Sequence, residues 1–136
     1  MRVLLVEDDA ALRDNLGRSL EADGWEAEAA ATAEDAIERL SERHFDLVVT
    51  DYNVGCGENG LVLLGHLREK GYSIPAILMS GYGERWLEDA ARESGVFAFF
   101  VKPFSLEPFL DACRQAHEKD SGRRAQYGMS KQLGRL

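Results

Sequence analysis

The sequence predicts an α/β protein: a doubly wound parallel sheet of five strands with helices on both faces. Three observations predict it. Short apolar runs alternate five times with stretches of helical periodicity. Most of these runs are continuously apolar, as in strands buried on both faces. Four of the five runs end in a polar or charged side chain, as when parallel strands deliver residues to one rim. Strict alternation of strand and helix implies parallel strands joined by right-handed crossovers.

Each element follows in order. Val3-Leu4-Leu5-Val6 is the first strand. Leu12, Leu16 and Leu20 then recur every four residues on a helix that Gly24 stops. Trp25-Glu26-Ala27-Glu28-Ala29 alternates strictly, the pattern of a half-exposed strand at a sheet edge. Thr32 caps the second helix, with Glu34 and Asp35 in the first turn, where the helix dipole favours anions. Its inner face is Ala33, Ala36, Ile37 and Leu40. Phe45 to Thr50 is the third strand, followed by a loop rich in Gly and Asn from Tyr52 to Gly60. Leu61, Leu64 and Leu67 mark the third helix, ended by Gly71. Pro75 opens the fourth strand, Ala76 to Met79. Leu87, Ala90, Ala91 and Ser94 give the fourth helix, ended by Gly95. Phe97 to Val101 is the fifth strand. Leu106, Phe109, Leu110, Cys113 and His117 line one face of the fifth helix.

A chain of 136 residues allows one domain with a core of its own. The net charge of −8 argues against a general nucleic-acid surface, which needs a positive field. The charge is uneven. Residues 1–117 carry 11 basic and 22 acidic side chains, a balance of −11, and residues 118–136 carry five basic and two acidic, a balance of +3. The apolar pattern stops at the same point, so the expected division is a domain over 1–118 and a basic tail or linker over 119–136. Two cysteines, Cys56 and Cys113, cannot form a disulfide framework or a zinc site. No signal-peptide core opens the chain, and the longest apolar runs fall far below the ~20 residues that span a membrane. The expected location is cytoplasmic.

Chemistry is expected at the carboxyl ends of the strands. The first run ends in Glu7-Asp8-Asp9, the third in Asp51, the fourth in Ser80-Gly81 and the fifth in Lys102-Pro103. Carboxylates converging on one point repel each other, and a hard divalent cation such as Mg²⁺ removes that cost. Lys102 adds a fixed positive charge, and Ser80 a hydroxyl donor. A carboxylate flanked by such groups suits acceptance of a phosphoryl group, with Asp51 attacking in line as nucleophile.

LLVEDD near the start, a lone Asp 43 positions beyond Asp8, MSG after the fourth strand and FVKPF after the fifth resemble the receiver domain of two-component response regulators. All four in order, each at a strand end, make a specific pattern over residues 1–118. The resemblance implies the flavodoxin-like (βα)5 sandwich with strand order 2-1-3-4-5. It implies Asp51 as phosphoacceptor, and Asp8 as direct Mg²⁺ ligand with Glu7 as its acidic partner. Asn53 would offer its backbone carbonyl to the metal. Ser80 would be the switch hydroxyl, Lys102 the active-site lysine, Phe99 the switch aromatic, and Lys102–Pro103 a cis bond. The implied phosphodonor is a phosphohistidine on a histidine kinase or phosphotransfer protein. The implied output is a changed face of fourth helix, fifth strand and fifth helix that binds a downstream protein, with a phosphorylation-dependent dimer as one form. The domain would catalyse its own phosphorylation and dephosphorylation, with no turnover of an external substrate and no direct contact with nucleic acid or membrane.

The stretch Val54-Gly55-Cys56-Gly57-Glu58-Asn59-Gly60 departs from the family's pattern. It lacks the usual proline, is about one residue longer, and is rich in glycine. The rival reading it motivates is a binding module of the same fold that is not productively phosphorylated. Glu7-Asp8-Asp9 also suits a plain acidic helix cap. A phosphatase with an aspartyl intermediate is disfavoured, because no Asp-x-Asp motif or cap domain is present. No phosphate-binding glycine motif follows the first strand. His44, His66 and His117 show no ligand spacing, and Cys113 reads as buried packing. Trp86 reads as a partly exposed residue of the fourth helix, with a partner contact as the functional alternative.

Overall fold

The computed structural model describes residues 1–55 and 58–125. Cys56 and most of the basic tail lie outside the described residues. In chain order the elements are β1 (Arg2–Val6), α1 (Ala10–Ala22), β2 (Glu26–Ala30), α2 (Ala33–Glu42), β3 (Leu47–Asp51), α3 (Gly60–Glu69), β4 (Ala76–Ser80), α4 (Arg85–Glu93), β5 (Ala98–Val101) and α5 (Leu106–Ala125). The strands form one parallel sheet in the order β2-β1-β3-β4-β5, as the resemblance implies.

Because side chains alternate along a strand, the continuous apolar runs split into two cores. On one face Leu4, Val6, Val48 and Ala76 meet Ala36 and Leu40 of α2 and Leu63, Leu64 and Leu67 of α3. On the other, Val3, Leu5, Leu47, Val49, Ile77 and Met79 meet Leu16 and Leu20 of α1 and Phe109 and Cys113 of α5. Both faces of β1, β3 and β4 are buried, which is why their central residues are apolar.

The two sheet edges differ in composition. Strand β2 alternates, with Ala27 packed against one core and Ala30 buried in the other. Its Glu28 is held by Arg39 and Arg43 of the following helix segment. Strand β5 is apolar throughout yet only half-buried, and Val101 at its end is exposed. Its edge position, rather than its composition, decides this.

The helix ends match the expected signals. Thr32 accepts from the Asp35 amide at 3.1 Å, and Gly24, Gly71 and Gly95 follow their helices at positive φ. Three details differ from the sequence reading. Leu63 rather than Leu61 completes the buried face of α3, and Leu61 is half-buried. Leu106 is exposed, because it lies in the first turn of α5 before the helix meets the sheet. Helix α5 runs on to Ala125, beyond the point where the apolar pattern stops. Among the described residues no helix is long and apolar enough to cross a membrane.

Candidate functional site

The acidic run after β1 divides its work. Asp9 is the N-cap of α1, its side chain accepting from the amides of Ala11 and Leu12 at 3.0 and 3.2 Å. The plain capping reading therefore holds for Asp9 alone. Glu7 points inward and is 1% exposed, whereas Asp8 is exposed. All four polar groups of Glu7 are held. Its amide donates to Ala30, its carbonyl accepts from Arg13 at 2.8 Å, and its carboxylate accepts from Lys102 at 2.9 Å and from the Asp9 amide at 3.0 Å.

Asp51 is the last residue of β3 and is 5% exposed. Lys102, one residue past β5, spans the sheet edge and reaches both acids. Its Nζ lies 2.9 Å from Glu7 and 3.0 Å from Asp51. Burial pushes both carboxyls above the ordinary carboxylate value, and the lysine opposes that rise. Burial also works against the charged lysine, but the hydrogen bonds to Glu7 and Asp51 outweigh it and raise its pKa. The result is a triad of two buried acids bridged by one part-buried lysine.

Glu7, Asp8 and Asp51 each bring a carboxylate oxygen within 4.8 Å of the others. Three hard oxygen donors converging beside an open rim fit a divalent cation such as Mg²⁺. Asn53 lies two residues past Asp51, exposed, in an isolated bridge with Asn59. Ser80 ends β4 beside Asp51 and is 1% exposed, with its Oγ accepting from the Tyr82 amide at 2.9 Å. The Lys102–Pro103 peptide is cis. Phe99 lies half-buried on β5, opposite Leu78 in register. The structure thus brings Glu7, Asp8, Asp51 and Lys102 together, sets Ser80 on the neighbouring strand end, and leaves Phe99 three residues back along β5.

Three further residues shape the site and were not singled out for such roles in the sequence. Arg13 holds the Glu7 carbonyl from α1. Gly60 starts α3 against the acceptor strand, where an added Cβ would stand 2.5 Å from the Asp51 carbonyl oxygen. Tyr52 follows Asp51 and meets Trp86 of α4 edge to face, with ring centroids 6.3 Å apart. The signals for Arg13 and Tyr52 are tertiary, because each partner is distant or a main-chain atom. The signal for Gly60 was present as a glycine directly after the Asn59 cap.

Comparison with known proteins points to one family. Residues 3–114 match the family described as response regulator receiver domain. The response regulator protein FleR of Pseudomonas aeruginosa is 39% identical over 110 residues, covering 81% of this chain and 23% of that protein. Sporulation initiation phosphotransferase F of Bacillus subtilis is 26% identical, covering 84% of this chain and 91% of that protein. A response regulator receiver domain protein (CheY-like) of Methanospirillum hungatei superposes with a TM-score of 0.83 at 24% identity, covering 90% of this chain and 97% of that one. Several curated relatives are longer, and this chain spans 23% to 48% of their length.

Proposed function

Because this chain belongs to the response regulator receiver domain family, we propose that it is a phosphoacceptor switch of a two-component system, with Asp51 as acceptor. The observation that carries the reading is the convergence of Glu7, Asp8 and Asp51 on one point with Lys102 bridging two of them. In the proposed step an Asp51 carboxylate oxygen forms a bond to phosphorus as the donor's phosphorus–nitrogen bond breaks. The donor imidazole leaves with that electron pair and takes a proton from solvent. The donor is a phosphohistidine on a histidine kinase or phosphotransfer protein.

Asp8, Glu7, Asp51 and the Asn53 carbonyl would hold Mg²⁺. That ion, when bound, supplies charge neutralisation for the phosphoryl oxygens. The chain's own groups do the rest. Lys102 is already 3.0 Å from Asp51 and offers ammonium protons to a phosphoryl oxygen. Ser80, whose Oγ only accepts at present, has its hydroxyl proton free to donate. Phe99 follows Ser80 inward as the switch aromatic. Asn53, two residues past the acceptor, orients the water that removes the phosphoryl group, and the half-exposed Tyr82, two past Ser80, shields the acyl phosphate from it.

The output surface in this reading is the face of α4, β5 and α5, which leaves Trp86, Val101 and Leu106 exposed at 57%, 42% and 41%. A downstream protein docks there, or a second copy when Asp51 is phosphorylated. The receiver unit comprises residues 1–118, with 119–136 as a basic tail or linker. It acts in the cytoplasm, contacts no nucleic acid or membrane itself, and turns over no external substrate.

The test is binding of beryllofluoride, a phosphoryl mimic, in the presence of Mg²⁺. Fluorine NMR should show a bound signal for the wild type and none for Asp51→Asn. Equal behaviour of the two proteins would return the chain to the rival reading, a binding module of receiver fold.

A further inference from the structure

The contact between Tyr52 and Trp86 joins two parts of the molecule with different freedom. Tyr52 is fixed. Its amide donates to the Met79 carbonyl on β4, and its carbonyl accepts from the Gly60 amide, both at 2.7 Å. Trp86 is not. It sits in the first turn of α4, a helix that buries only Leu87 and Ala91 and whose N-cap residue Glu84 makes no side-chain capping bond. The connection from β4 to α4 contains Gly81, where a side chain would meet nothing, and Gly83. One hydrogen bond ties this connection to the site, from the Tyr82 amide to Ser80 Oγ at 2.9 Å.

We propose that Trp86 is a positioning residue that holds α4 in the unloaded arrangement by resting its indole against Tyr52, and that loading of Asp51 releases it. This rests on the phosphoacceptor reading above and adds a regulatory part to it. When Ser80 changes rotamer to bring its hydroxyl to a new oxygen on Asp51, its Oγ moves and the bond from the Tyr82 amide loses its geometry. The connection then moves, and α4 carries Trp86 away from Tyr52, whose main chain stays on the sheet. The ring contact therefore stabilises one of two states and opposes loading. Removing it favours the loaded state by what an aromatic pair contributes beyond simple burial.

Trp86 also reports the change. The other tryptophan, Trp25, is 3% exposed and packs against His117 of α5, away from the site. Trp86 is 57% exposed, so iodide quenches it selectively.

The experiment titrates beryllofluoride with Mg²⁺ into wild type, Trp86→Ala and Trp86→Phe. Binding is followed by fluorine NMR, and Trp86 by emission and iodide quenching. The expected result is a change in emission and quenching of the wild type that tracks the bound fluorine signal and is absent in Trp86→Phe. Trp86→Ala should bind roughly three- to tenfold more tightly. Trp86→Phe, which keeps an aromatic edge, should stay close to the wild type. Normal fluorine binding with unchanged Trp86 emission would overturn the proposal. So would a Trp86→Ala affinity within about twofold of the wild type, or weaker. Absence of any bound fluorine signal in the wild type would instead remove the phosphoacceptor reading, and this inference with it.

Discussion

Lys102 is the residue on which the site's electrostatics turn. It is the one cation in contact with two buried carboxylates among the described residues. Truncating it leaves Glu7 and Asp51 buried without a counter-charge, a loss of about 3 kcal/mol for a broken buried pair. Lys102→Ala should therefore lower the urea midpoint at neutral pH. The sign of its pH dependence follows from the carboxyls. Without the lysine their folded pKa values rise further above the unfolded ones, so the penalty is present at pH 7 and vanishes below about pH 4, where both states are protonated. Urea titrations of wild type and variant at pH 7 and at pH 4 to 5 check this, and a gap that widened on acidification would contradict it. At this scale the sequence was legible for residues that end a strand. Glu7, Asp51, Ser80 and Lys102 each follow an apolar run, and that position alone sends them to one rim. Arg13 was not legible, because its acceptor is a main-chain carbonyl six residues earlier.

Among the elements, α3 is the one whose start matters most to the acceptor. Gly60 lets the helix begin directly against β3. Any side chain there would meet the Asp51 carbonyl at 2.5 Å, with Leu78 at 3.0 Å and Thr50 at 3.2 Å behind it. None of these can withdraw freely, since Thr50 and Leu78 are fully buried. Gly60→Ala should cost about 1–3 kcal/mol of stability, the usual range for overpacking. It should also weaken beryllofluoride binding, because the strain falls on the residue that carries the carboxylate. Chemical denaturation and fluorine NMR on the same variant check both parts, and an unchanged midpoint would show that the backbone yields. Element existence and type were readable from periodicity throughout. The exceptions follow from tertiary context: β5 is an edge despite its apolar run, and α5 continues through polar residues to Ala125. Local composition carries no information about either. The Tyr52–Trp86 contact was hidden for the same reason, since its partners lie 34 positions apart in sequence.

At the scale of the whole molecule, the second core is a test of global opening. Cys113 is fully buried between α5 and the sheet, and burial with the nearby Asp23 charge pushes its thiol up to about 12. A thiol so placed reacts only when the fold opens. In a Cys56→Ser variant, a disulfide reagent at pH 8 should label Cys113 only slowly, and the rate should climb with denaturant alongside loss of near-ultraviolet dichroism. Immediate labelling in plain buffer would show that α5 detaches on its own.

The strand order has a consequence for how the chain comes together. Val3 of β1 pairs with Ala27 on one side and with Leu47 on the other. Pairing of the first strand on both sides therefore needs the third, the strand that ends in Asp51, and the counter-charge of the acids, Lys102, lies past the fifth. The second core is closed only by Phe109 and Cys113, later still in the chain. Because domains fold as units, the acids and their lysine come together in one step, after nearly the whole domain has been synthesised.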